Sequence, residues 1–153
     1  MTTFNFFLVI HIISGLICLI TGGISIASRK RKGMHTLFGE IYHAFFVLIF
    51  ISSTIMSIMH WAESAYLLFI GIFSYALALY GYLSRKRRWK NWIAKHIGGM
   101  LGSYIAIITA ILVVNGRHIP IINELPIIMV WFIPTIIGTP LIIMVTNKFT
   151  QKR

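Results

Sequence analysis

Acid is what this chain lacks. Its 153 residues contain no aspartate and only three glutamates, Glu40, Glu63 and Glu124. Without an acidic pair, a glycine-rich phosphate loop or a nucleophile elbow, hydrolase and nucleotide-binding chemistry have no residues to stand on. Cysteine is nearly absent as well: Cys18 stands alone, which excludes an intrachain disulfide and argues against thiolate metal chemistry. Set in an apolar run, it reads as a small packing residue. The chain also lacks a long polar segment from which a separate soluble domain could be built.

What is present is apolar. Hydrophobic residues make up 58% of the sequence, and the mean hydropathy is +0.84, too high for a surface that must be wetted by water. At roughly 20 apolar residues per crossing, the pattern predicts one all-α membrane domain over residues 1–153. Five spans are expected, at about 4–27, 36–60, 65–83, 93–114 and 125–145. The run from Phe4 to Ala27 follows an uncharged start and is long enough to cross, so it reads as a retained span and not a cleaved leader.

The formal charge is +11, but the cations sit in short clusters at the ends of apolar runs and form no extended basic face. They read as topology, not as a nucleic-acid surface. On alternating sides, Arg29 to Lys32, Arg85 to Arg88, Lys90, Lys95, Lys148, Lys152 and Arg153 share one side and Arg117 falls on the other. The positive-inside rule then predicts an external N-terminus, a cytoplasmic C-terminus and an odd number of spans. Trp61, Trp89, Trp92 and Trp131 lie near the expected boundaries, as an aromatic belt does. The two SRKR clusters, at Ser28 and Ser84, hint at an internal duplication that positive-inside selection explains equally well. The fifth span carries Pro126, Pro134, Pro140 and Gly138, which predicts an irregular packing helix repaired by hydroxyls such as Thr135 and Thr139, or alternatively a gate.

Ionisable residues inside a span are costly and are functional candidates by default. At about 1.5 Å per residue, His43 and His96 are expected within roughly 10 Å of the cytoplasmic boundary, with His35 at it. His11 lies toward the outer face, and His60 and His118 sit near the outer surface with Glu63, Arg117 and Glu124, where solvated loop chemistry accounts for them. Small residues accompany the core histidines: Gly15 follows His11, Gly39 lies four residues from both His35 and His43, and Gly99 and Ser103 follow His96. Such smooth patches suit a planar ligand held by an imidazole. They equally suit close helix packing, and Gly98 with Gly102 forms a GxxxG pair. Glu40 and His43 have the Glu-x-x-His spacing of carboxylate-bridged metal sites, but a di-metal centre needs further carboxylates. A single zinc or copper ion held by His35, Glu40, His43 and His96 is the alternative.

The first helix with His11 and Gly15, the segment MHTLFGEIY with His35, Gly39 and Tyr42, and HIGGMLGSYIAIITA with His96, Met100, Ser103 and Tyr104 resemble a family of small bacterial multi-pass membrane proteins. The likeness covers about residues 5 to 115. It implies a helical membrane bundle and marks His11, His35 and His96 as the family-type histidines, but implies no activity. A more distant likeness is to b-type cytochromes of the cytochrome b561 kind, in which histidines on alternate helices hold two haems. The third span here has no histidine and the outer layer offers no evident second ligand for His11, so one haem is the expectation. The combined expectation is a protein of the bacterial cytoplasmic membrane with a histidine site. That site would hold haem b through His96 and either His43 or His35, and exchange electrons with a membrane quinol and a redox partner. The competing expectations are zinc or copper binding or transport on the same residues, and a purely structural or assembly role.

Overall fold

The computed structural model describes residues 2–31 and 33–151. Lys32, Lys152 and Arg153, which entered the charge reading, lie outside the described residues. The described chain is all-α: α1 (Thr3–Ala27), α2 (Met34–Met59), α3 (Trp61–Lys86), α4 (Trp92–Asn115) and α5 (Ile127–Thr150), with two single-turn 3-10 segments between α4 and α5. All five α-helices are long and apolar enough to cross a membrane.

The ends of these helices follow from local chemistry. Thr2 caps α1 by accepting the Asn5 N–H, and at the other end the Ser28 hydroxyl donates to the Ile24 carbonyl, which ends the ladder in an extended residue. Gly33, at φ 119°, breaks the chain before α2. Two boundaries differ from expectation. Instead of a polar connection over residues 61–64, only His60 separates α2 from α3. Glu63 therefore falls in the first turn of α3, where a carboxylate meets the positive end of the helix dipole. The fifth helix extends to Thr150 and stays helical through Pro134 and Pro140.

Burial inverts the pattern of a water-soluble protein. Ser14, Ser52, Ser84 and Ser103 are at most 2% exposed, whereas Phe69, Phe73, Ile136 and Met144 are 65% exposed or more. Lipid tails are as apolar as leucine, so helices in a membrane turn small and polar residues toward each other and large apolar ones outward. Several of these buried hydroxyls donate within their own helices: Ser52 to the Leu48 carbonyl at 2.7 Å, Thr21 to Ile17 at 2.7 Å and Thr109 to Ile105 at 2.9 Å.

The helices divide into two compact units, residues 1–76 and 77–153, with the boundary inside α3. In the first, α1 lies antiparallel on α2. Phe4, His11, Cys18 and Ser25, spaced by seven residues, meet His60, Ser52, Tyr42 and His35 respectively. A seven-residue repeat keeps one seam of a helix facing its partner, and Ser14 and Thr21 fill the intervening positions. On another face of α2, His43, Phe46 and Phe50 surround the Tyr75 ring.

In the second unit, α3 crosses α4 at Gly81 and Gly99, where the backbones themselves touch. A Cβ on Gly99 would sit 2.6 Å from the Gly81 Cα, and one on Gly81 would sit 2.7 Å from the Met100 nitrogen. Ala78, Gly81 and Ser84 form the buried stripe of α3, and Gly99 and Ser103 its counterpart on α4. The close pair is thus Gly99 with Ser103, one position removed from the expected GxxxG: Gly98 faces open space, and Gly102 meets only the Leu77 side chain. α5 packs along α4 through Val130, Pro134 and Gly138, with Ile105 seated on Gly138. Pro134 and Pro140 thus sit inside a packing helix, and Pro126 at its N-cap.

Candidate functional site

Three of the four candidate histidines share one arrangement: the Nδ1 edge of the ring is turned onto an oxygen of a neighbouring helix. His35 Nδ1 lies 2.9 Å from the Ser25 carbonyl. A carbonyl only accepts, so the proton is on Nδ1. The Ser25 hydroxyl, 3.1 Å from the same nitrogen, donates to the His35 carbonyl at 3.2 Å. The pair closes a two-bond clasp between the end of α1 and the start of α2.

His96 repeats this in the second unit, its Nδ1–H donating to the Gly81 carbonyl at 2.9 Å. The bond depends on the Gly81–Gly99 crossing, because only a side-chain-free approach brings α3 close enough for a ring one turn before Gly99 to reach its backbone. His11 Nδ1 lies 3.2 Å from the Ser52 hydroxyl. The Ser52 hydroxyl also reaches the Leu48 and Ile49 carbonyls at 2.7 and 3.0 Å; with its one proton given to either, its oxygen is left to accept from the ring. One edge of His11 therefore faces α2.

Protonation at Nδ1 makes Nε2 the basic nitrogen of each neutral ring. Histidines that ligate metals or haem are held the same way, with the second nitrogen donating to a carbonyl or other acceptor that fixes tautomer and orientation.

His43 differs. Its ring lies nearly parallel to Tyr75, at 6.2 Å between centroids and 21° between planes, and Tyr75 in turn stacks on Phe50 at 4.8 Å. Eight residues of continuous helix separate His43 from His35, about 12 Å of rise. Glu40 itself is exposed. Among the described residues no group of three or more histidine, cysteine or acidic side chains is placed to hold a metal ion. His60 and His118 are exposed, His60 with its ring edge-on to Phe4 at 4.7 Å.

The glycines beside the histidines have different fates. Gly39 faces the Ser25 hydroxyl, with 3.6 Å to a built Cβ, and Gly99 is wedged on Gly81. Ser103 is fully buried and donates to the Met100 carbonyl. Those patches are consumed by helix packing. Gly15, one turn after His11, instead has nothing within 4 Å of the Cβ position. Sequence spacing could not separate these cases, because a bare surface and a helix contact call for the same small residue.

Sequence reasoning missed two partners outright. Ser25 and Ser52 carry no motif; Ser25 is marked only by its seven-residue register with His11 and Cys18 on α1, and Ser52 by nothing comparable. Compared with protein-family models, with curated proteins and with solved structures, the chain matches none.

Proposed function

We propose that this chain is a multi-pass protein of a bacterial cytoplasmic membrane, its N-terminus outside and its C-terminus cytoplasmic. It carries a b-type haem on an Nδ1-anchored histidine and passes single electrons between a membrane quinol and a redox partner. The observation that carries this reading is the hydrogen bond behind the imidazole. His11, His35 and His96 each have Nδ1 fixed on a neighbouring helix, the support that sets ligand basicity and ring orientation in haem and metal sites.

Neutral imidazole supplies a nitrogen donor without bringing net charge into lipid, and burial of the haem tunes its potential. His11 is the first choice of ligand, since Gly15 leaves the adjoining wall bare while Gly39 and Gly99 are filled by packing. Haem content of the purified protein tests the choice. Alanine at His11 abolishes bound haem at unchanged helicity, whereas equal haem in wild type and all three histidine variants contradicts it.

A second reading has its own observation. The same three bonds cross between helices, and two of the three neighbouring glycines are packed, which suits histidines serving as interhelical pins. His96→Gln separates the two. An amide still donates to the Gly81 carbonyl and preserves a pin, but it does not replace an imidazole as a haem ligand.

A further inference from the structure

The two cationic clusters differ in what holds them. In the second, the charges turn onto the chain's own aromatic rings: Arg88 stands 4.7 Å over the Trp92 ring, Lys95 5.7 Å over Trp89 and Lys86 5.0 Å over Tyr82. Two left-handed residues, Arg88 and Asn91, fold that loop back so that the rings and cations meet. These three cations, of the six from Arg85 to Lys95, are held by cation–π contacts within the chain.

The first cluster is built the other way. Lys30 turns back and donates to the Ser25 and Ile26 carbonyls, closing the negative end of α1. Partial burial there lowers its pKa. The Arg31 N–H bonds the Arg29 carbonyl at 2.8 Å, a three-residue turn from Arg29 to Arg31. Both then line a hollow of about 310 Å³ with Ser28, Gly33 and Met34. Gly33, at φ 119°, has nothing within 4 Å of its Cβ position. Among the described residues, no carboxylate or carbonyl partner engages either guanidinium. The hollow opens at the end of two membrane-crossing helices, the level at which lipid phosphates lie.

We propose that this hollow is a binding site for the headgroup of an anionic phospholipid, whose phosphate is gripped by Arg29 and Arg31. Planar guanidinium forks match phosphate oxygens bidentately, and the membrane setting favours a ligand delivered by the bilayer itself. Met34, 59% exposed beside the hollow, offers the glycerol and upper acyl segments an apolar rest.

The test is native mass spectrometry of the full chain in neutral detergent micelles, titrated with phosphatidylglycerol or phosphatidylcholine. Wild type is expected to retain phosphatidylglycerol in clear preference to phosphatidylcholine. The double variant Arg29→Gln/Arg31→Gln weakens that retention by about tenfold, while Arg87→Gln/Arg88→Gln, with equal loss of charge, weakens it less than about threefold. Arg29→Lys/Arg31→Lys, which preserves charge and guards against a folding defect, also loses affinity because it lacks the fork. Millimolar inorganic phosphate leaves the lipid bound. Equal losses in the two glutamine variants, full retention in the lysine variant, displacement by inorganic phosphate, or no preference between the lipids each overturns the proposal.

Discussion

The ring of His96 donates from Nδ1 to the backbone carbonyl of Gly81 at 2.9 Å, and this bond exists because Gly81 and Gly99 let α3 and α4 touch backbone to backbone. Packing and candidate chemistry are therefore one feature in the second unit. A change that parts the two helices must also release the ring.

Glycine substitutions in this unit are expected to rank by what a new methyl group meets. Gly99→Ala confronts backbone atoms that do not yield and destabilises by about 2 kcal/mol or more. Gly138→Ala meets the end of the Ile105 side chain, which can turn aside, and costs about 1 kcal/mol. Gly98→Ala meets nothing and stays within about 0.5 kcal/mol. Unfolding in mixed micelles measures the order, and an equal effect at Gly98 and Gly99 would remove the crossing as its explanation.

The Ser25–His35 clasp predicts coupling. Ser25→Ala and His35→Ala each lower stability by about 0.5–1.5 kcal/mol, and the double variant loses less than the sum because the second change breaks bonds already gone. Strict additivity would show that the two side chains do not act together.

Around Tyr75 the contacts are ring faces, so the hydroxyl is expected to be dispensable. Tyr75→Phe leaves stability within about 0.5 kcal/mol, while Tyr75→Leu loses about 1–2 kcal/mol with the stacks on His43 and Phe50. Thermal unfolding followed by near-ultraviolet dichroism distinguishes the two. A large loss in the phenylalanine variant would point to a polar role for the residue.

Much of the fold was legible in the sequence because lipid demands long apolar helices, and composition alone reveals those. All five spans stood within a few residues of their final limits. The α2–α3 connection was misread since Glu63, polar in sequence, is a favourable first-turn residue in a helix. α5 runs on to Thr150, past the expected 145, because Asn147 and Lys148, polar in sequence, continue the helix. At the site, histidine depth and the flanking glycines were visible. Whether a glycine faces a ligand or another helix depends on rotation about the helix axis by a single residue, as Gly98 and Gly99 show, and five uniformly apolar helices leave that rotation poorly marked.

Behind His11, Ser52→Ala removes the acceptor for the ring N–H. If His11 ligates haem, the variant is expected to keep its haem but show a raised reduction potential, because a ligand without that acceptor is less basic and stabilises the oxidised iron less. Redox titration followed optically measures the shift, and a potential unchanged from wild type would separate Ser52 from the site.

The most direct measurement is the reduced-minus-oxidised absorption spectrum of the wild-type protein purified from haem-sufficient cells. An imidazole-ligated b-type haem predicts an intense Soret band and a sharp α-band on reduction, both lost in His11→Ala. A colourless, fully helical wild-type protein would contradict it, leaving the three histidines as pins between helices.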